Sequence, residues 1–438
     1  MAYIGSTPTT QSFIAGTDYF NGNGSTTAFT LSRPVVSVND IQAVVNNVVQ
    51  VPNDAYNVSG STITFTSAPS SGTGNVYVRY MSTTTQSITP SQNTVSYATW
   101  DNDLRNETFA FKNRIINGDM TINQRNTTVT PAGGEAYSVD RWAGNSTGST
   151  RFSMQQSTTA PAGFNNSLLI TTTTAGTPGA SDFCYFTQHI EGFNTADLGF
   201  GTANAQTVTL SFWIRSSLTG SFGGSIANNA GNRRYMFSFT ISAANTWEYK
   251  TITIAGDTTG TWFTDSNRGI SVAFNLGTGA SNEGTAGSWT TTGVAPTGSV
   301  DLVATAGATL NITGVQLEKG TTATNFDVLP YGTELALCQR YYETTGGGAY
   351  NLVNPYTYGT NSAIRCPVIM YKAEKRISNC TLTINDDNGN NGRVYRNGAN
   401  KTYSVWINQS YGFSIANSDT PSGTGDDFTF RWSSSAEL

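Results

Sequence analysis

Five segments in the middle of the chain alternate polar and apolar residues with a period of two: 207–215, 235–241, 247–254, 270–276 and 310–317. That period places successive side chains on opposite faces of an extended strand. A helix built from these segments would scatter its apolar residues around its surface, so they must fold as strands with one buried face. Loops rich in Gly, Asn and Thr separate them, as expected for two packed antiparallel sheets, a sandwich or jelly roll. The same period recurs earlier, in 61–65 and 76–80, and Val44-Val45-Asn46-Asn47-Val48-Val49 predicts a hairpin closed by a tight Asn-Asn turn.

Composition supports this choice. Charged residues make up 12% of the 438, about half the usual quarter. Polar surface must therefore come from Thr, Ser, Asn and Gly, which favour strands and turns over helices. Hydrophobic residues at 37% and aromatics at 11% are enough for packed cores. The predicted class is all-β. No repeat of 20–50 residues is apparent, which argues against a parallel β-helix.

Four regions follow. Residues 1–90 predict a small β domain, and 91–113 a linker whose 95–112 stretch has helical spacing. A lone helix of this length is marginal in water, so it either packs against copies of itself or lies on the next domain. Residues 114–342 predict the large sandwich. Residues 343–438 predict a small, turn-rich β domain, preceded by a short helix around 334–343 that runs into a strand.

Several function classes are disfavoured. The net charge is −5 and no Lys/Arg cluster is interleaved with aromatics, so nucleic acid is not an expected partner. No apolar run approaches the ~20 residues of a membrane span, so no membrane insertion is expected. The start, Met1-Ala2-Tyr3-Ile4-Gly5, lacks the basic and apolar regions of a signal peptide, and export by that route is not expected. Cys184, Cys338, Cys366 and Cys380 are not in Cys-x-x-Cys spacing and are expected to be reduced and buried. No metal site and no cofactor are predicted; the turn Asp386-Asp387-Asn388-Gly389 lacks the helix-loop-helix calcium pattern, while a calcium loop of another geometry stays open.

Three ordered motifs carry a resemblance. They are Arg114-Ile115-Ile116-Asn117-Gly118-Asp119-Met120 with Val139-Asp140-Arg141-Trp142; Gly314-Val315-Gln316-Leu317-Glu318-Lys319-Gly320; and Leu329-Pro330-Tyr331-Gly332 through Gln339-Arg340-Tyr341-Tyr342. Together they resemble the carbohydrate-binding-module-like jelly roll of phage tail fibres and related virion proteins, over about residues 114–342. The first 90 residues resemble, in pattern, the attachment domain of T7-like tail fibres. The last residues, Phe430 to Leu438, are similar to the ends of fibre C-terminal domains. The resemblance implies a homotrimeric tail fibre in the virion. Residues 1–90 would join tail or adaptor proteins, and the distal region would hold a host-surface polysaccharide or outer-membrane receptor through many weak contacts. The alternatives are a capsid-attached fibre or decoration protein, a polysaccharide depolymerase, and a secreted sugar-binding protein.

No catalytic residues are predicted. Asp119, Asp140 and Arg141 are expected to pair where strands begin, and Arg340-Tyr341-Tyr342 to pack between the jelly roll and the C-terminal region. His189, the one histidine, is expected to be structural. The carboxylate pairs Asp386/Asp387 and Asp426/Asp427 sit in Asn/Gly-rich turns, where Asp caps backbone. Receptor contact is assigned instead to turn aromatics, because sugar rings stack on exposed Tyr and Trp: Tyr350, Tyr356, Tyr358 and Tyr411.

Overall fold

The computed structural model describes residues 16–81, 112–345, 351–353, 356–357, 364–386, 388–396, 399–417 and 428–438. The candidate linker helix at 95–112 lies outside them except for its last residue. The chain divides into two compact units, 1–101 and 102–438.

The first unit holds six strands: β1 (Thr17–Gly22), β2 (Ala28–Val35), β3 (Ile41–Val45), β4 (Val48–Val49), β5 (Tyr56–Phe65) and β6 (Gly72–Tyr80). They form a four-stranded sheet, β1-β6-β3-β4, and the pair β2-β5. The β3–β4 hairpin turns on Asn46 and Asn47, whose φ values of 49° and 64° are the left-handed pair that a type I′ turn requires. Alternation places Ile63, Phe65, Val76 and Val78 in one core with Ile41 and Tyr56.

The second unit is built on a sandwich of strands β7 (Ala136–Tyr137), β8 (Ala143–Ser146), β9 (Phe152–Ser157), β10 (Ser167–Thr172), β11 (Phe183–Glu191), β12 (Val208–Ser216), β13 (Gly220–Ala227), β14 (Arg234–Ile241), β15 (Glu248–Ile254), β16 (Arg268–Thr278), β17 (Glu283–Gly284), β18 (Trp289–Thr290), β19 (Ala295–Pro296) and β20 (Thr309–Lys319). One sheet runs β15-β12-β20-β10-β9 and the other β18-β14-β13-β16-β11-β8-β7; β17 and β19 form a separate parallel pair. All five alternating segments of the sequence are strands of this sandwich. Their inner faces interlock: Phe274 meets Phe186 and Phe212 at 5.0 Å between ring centres, and Trp142 packs on Phe186 at 6.1 Å. Burying a side chain such as Phe274 contributes about 1.5–3 kcal/mol.

After β20 comes the one α-helix among the described residues, α1 (Tyr331–Gln339), followed by the strand Tyr342–Thr344. That strand pairs with the last strand, Phe428–Ser435, which also pairs with Thr381–Asn385. A second small sheet centres on Gly412–Asn417. Tyr371, Phe413 and Trp432 make the core of this region.

The sequence motifs meet at a buried polar junction between the sandwich and this region. Arg141, 1% exposed, pairs with Glu437 and stacks on Tyr341 at 3.5 Å. Arg125 reaches both Glu437 (2.9 Å) and Asp140 (3.5 Å). Arg340 grips Glu191 with two hydrogen bonds of 2.9 and 2.6 Å, and the Tyr341 hydroxyl donates to the same carboxylate at 2.7 Å. Asp140 and Arg141 thus find separate partners rather than each other. Asp119 stays local, accepting from Thr121.

Beside this junction, Lys375 and Glu343 pair at 2.7 Å with side chains 0% and 1% exposed. Breaking a buried pair from one side strands a charge and costs about 3–5 kcal/mol, while replacing both partners with apolar groups is often neutral. Urea unfolding should therefore show Glu343→Leu destabilised by about that amount. The double variant Glu343→Leu/Lys375→Met should recover most of the loss. Equal losses in the two variants would contradict a buried ionic contact.

Candidate functional site

The outer face of the seven-stranded sheet carries the candidate site, and alternation explains why. On β11, Phe186 and Ile190 face the core, so Tyr185, Thr187 and His189 face outward. On β16, Ile270, Val272 and Phe274 face the core, leaving Ser271 and Ala273 outward. Register then lines these residues up across four strands. One row runs His189–Ser271–Ala227–Arg234, and the next runs Thr187–Ala273–Ser225–Met236. Small side chains occupy the middle of both rows, with larger ones at their ends. The result is a hollow with a floor of Ser225, Ala227, Ser271 and Ala273. Tyr185, His189, Arg234 and Arg268 wall it, and the 228–231 loop, Glu135 and Val294 overhang it. Its volume is about 330 Å³, within the size of small-ligand sites.

The walls are polar and tightly ordered. His189, 4% exposed, hydrogen-bonds Ser271 through Nδ1 and Glu135 through Nε2, each at 2.9 Å. Arg268 donates from Nε and Nη2 to the side-chain and backbone oxygens of Asn229, at 3.1 and 3.2 Å. Asn145 donates to the Tyr185 hydroxyl at 3.2 Å. Ser225 is 1% exposed, and its hydroxyl has no hydrogen-bond partner among the described residues. A buried polar atom left unsatisfied costs about 1–3 kcal/mol, and a cavity beside it is where a ligand would supply the missing bond.

His189 is therefore more than a packing residue: it orders one wall of the pocket. Ser271, His189 and Glu135 also form a contiguous Ser–His–carboxylate chain, the set of groups that hydrolases use. Two features separate it from a working triad. Ser271 lies within β16, paired on one side with His189 and on the other with Ala227, so its backbone is committed to the sheet rather than to an oxyanion. Burial pushes the imidazole pKa below its ordinary value despite Glu135, and Arg268 and Arg141 add to the shift. The imidazole is then a weak base held neutral.

Of the aromatics chosen from the sequence, Tyr411 is not among the residues that line this hollow. Tyr350 and Tyr358 fall outside the described residues. Tyr356 opens the short strand Tyr356–Thr357, with its side chain also outside the described residues. Tyr411 is 47% exposed beside the strand Gly412–Asn417, and its carbonyl accepts from Tyr371 N at 3.0 Å. Near it in sequence, Trp406 is 56% exposed, with the Arg365 guanidinium 3.5 Å above its ring. Of the carboxylate pairs, Asp387, Asp426 and Asp427 lie outside the described residues. Asp386 caps its own turn, accepting from the backbone of Asn388 and Asn390 at 3.0 and 2.8 Å. Among the described residues no cluster of three His, Cys, Asp or Glu is placed to hold a metal, and the four cysteines are buried and unpaired.

Sequence reasoning missed Ser225, Arg234, Arg268 and Glu135. Half of the small-residue floor, Ser271 and Ala273, lies in one of the alternating segments; the other half, Ser225 and Ala227 on β13, lies outside them. The register that brings β11, β16, β13 and β14 side by side was not visible. It also missed a groove of about 310 Å³ on the opposite sheet, where Trp213 and Tyr249 face each other across β12 and β15 at 5.3 Å. Gly314, at φ 62°, permits that groove, because a Cβ there would come within 2.6 Å of Phe164.

Neither a protein-family model nor a curated protein matches the chain. Solved structures do. The enzymatically active domain of tailspike protein 4 of bacteriophage CBA120 is 14% identical over 48% of this chain, with a TM-score of 0.28, and the match spans only 21% of that tailspike chain. The family 11 carbohydrate-binding module from Clostridium thermocellum, in complex with a β-1,3-1,4-mixed-linked tetrasaccharide, is 13% identical over 45% of this chain and 98% of its own, with a TM-score of 0.24. The module TmCBM61, in complex with β-1,4-galactotriose, is 9% identical over 48% of this chain and 99% of its own, with a TM-score of 0.25. Identities and TM-scores this low say nothing about what this chain binds.

The His189 environment makes a prediction about pH. Its folded pKa lies below the ordinary 6.5, so the unfolded chain takes up the proton first as pH falls. His189 thus supports stability above about pH 6.5, and that support is lost as the pH drops toward the lower folded value. His189→Gln should flatten the loss of stability measured by denaturation between pH 7 and pH 5. Parallel curves for the two proteins would contradict a buried neutral imidazole.

Proposed function

We propose that this chain is a phage tail fibre that holds a host-surface glycan by binding alone. In this reading residues 1–90 join the tail, the protein is a homotrimer in the virion, and the pocket over the seven-stranded sheet is a glycan site. The observation that carries the binding role is that pocket: a sugar-sized hollow with a small-residue floor, ordered polar walls and an unpartnered Ser225 hydroxyl. Hydroxyl-rich ligands need donors and acceptors held in place, and the Asn229–Arg268 and Ser271–His189–Glu135 contacts hold them. The three ordered motifs support the fibre assignment. Repetition of one weak site over three chains and several fibres would give a strong hold without tight individual contacts.

A second reading, an esterase acting on a decorated polysaccharide, has the Ser271–His189–Glu135 chain in its favour. The mid-strand position of Ser271 and the lowered basicity of His189 favour binding.

Full-length protein should be screened against an array of bacterial surface polysaccharides, beside the pocket-filling variants Ala273→Phe and Ser225→Phe. Binding to at least one polysaccharide is expected, with at least a tenfold loss in any variant that keeps the wild-type melting temperature, and with no release of acetate or reducing ends. Undiminished binding in a well-folded filled variant would remove the pocket from the account, and turnover abolished by Ser271→Ala would establish the esterase. Light scattering at micromolar concentration should give three times the 46.6 kDa chain mass; a monomer would contradict the trimeric fibre.

A further inference from the structure

We infer that the pocket selects an anionic sugar, with its carboxylate seated against Arg234 and the Ser225 hydroxyl. This rests on the glycan-binding reading and narrows it to acidic glycans.

The argument begins with the charges around the hollow. Arg268 and Arg234 both line it, and among the described residues neither has a carboxylate within salt-bridge distance. The one acidic side chain in the lining, Glu135, is bound to His189. The imidazole is neutral, so the walls carry two positive charges against one negative. Arg268 is also spoken for by hydrogen bonds, since Nε and Nη2 both serve Asn229. Arg234 is not. Its Nε donates to the Gly231 carbonyl at 3.0 Å, and its two terminal nitrogens have no hydrogen-bond partner among the described residues.

Gly231 keeps that guanidinium in place. A Cβ at this position would come within 2.9 Å of Arg234 Nη2, and the φ of 67° disfavours any other residue. Burial and the neighbouring Arg268 charge hold the Arg234 pKa below its ordinary value, in keeping with a part-buried guanidinium that has no carboxylate beside it. A charge in that position is costly unless an opposite charge arrives, and unpaired, perturbed groups of this kind gather at binding sites. The free edge of a guanidinium is two parallel N–H donors, the complement of a carboxylate's two oxygens. Ser225, whose buried hydroxyl has no hydrogen-bond partner among the described residues, lines the same cavity. A neutral sugar could use Ser225 but would leave the charge uncompensated.

Isothermal titration of the full-length protein tests this. The probes are oligosaccharides containing glucuronate, galacturonate or N-acetylneuraminate, each beside its carboxyl-reduced neutral counterpart, together with galactose 1-phosphate. At least one acid should bind tenfold or more tightly than its reduced form, and its affinity should fall as salt rises. Arg234→Met should erase that preference, bringing the affinity for the acid down to that for its reduced form. Arg234→Lys, which keeps the charge but not the fork, should lose only part of it. Near-ultraviolet circular dichroism matched to wild type shows that each variant is folded. Equal binding of acid and reduced forms, or a preference untouched in a folded Arg234→Met protein, would overturn the inference and leave glycan binding standing. A response to the phosphate alone would also overturn it, because the seat would then not be for a carboxylate. Failure of every sugar, acidic and neutral, would remove the glycan-binding reading as well.

Discussion

Strand alternation governs this molecule more than any single contact. Phe186, Ile190, Ile270, Val272 and Phe274 must all face inward to fill the space between the two sheets. Once they do, Tyr185, Thr187, His189, Ser271 and Ala273 have no choice but to face outward. A one-residue slip on β11 would exchange its two sets, burying His189 in the aromatic core and exposing Phe186. The pocket is thus the other side of the core, and its position follows from the same packing that stabilises the sandwich.

What alternation cannot supply is a tie between the sandwich and the C-terminal region, whose apolar cores are separate. Charged groups make that tie, beside a small apolar cluster of Ile116, Ile122, Cys338, Tyr341 and Leu438. In a chain with few charges, the buried Arg141–Glu437 and Lys375–Glu343 pairs and the part-exposed Arg340–Glu191 pair are concentrated around the end of α1 and the final residues. Buried pairs add less net stability than their number suggests, because desolvation offsets attraction. Their geometric demands are stricter than those of apolar contacts, and they hold Arg340, Tyr341 and Glu437 in one arrangement. Glu191 ends β11, two residues beyond His189, and the His189 carbonyl accepts from Arg141. The junction therefore also braces the strand that carries one wall of the pocket.

The strands were legible because their signal is local. Segments such as 207–215 and 235–241 declare a period of two, and Asn46-Asn47 declares a turn that needs left-handed backbone. A short helix running into a strand was expected at 334–343, and it forms a little earlier, at Tyr331–Gln339. The site was not legible. Ser225, Ala227, Arg234, His189 and Ser271 come from four strands, with His189 and Ser271 82 positions apart in the chain, and only long-range register sets them in two rows. Nothing in the residues around Arg234 states that its guanidinium lacks a partner. Reasoning from exposed aromatics led to the turns of the C-terminal region, because stacking can be guessed from residue type, whereas a cavity floored by Ser and Ala is visible only after folding.

The most direct test of the account is a crystal structure of the full-length protein with the tightest-binding oligosaccharide from the polysaccharide screen. The account predicts a sugar residue over Ser225 and Ala273, within hydrogen-bond distance of Ser225 and the Arg234 guanidinium. A ligand found instead on Trp213 and Tyr249, or beside Trp406, with the seven-stranded sheet bare, would contradict it.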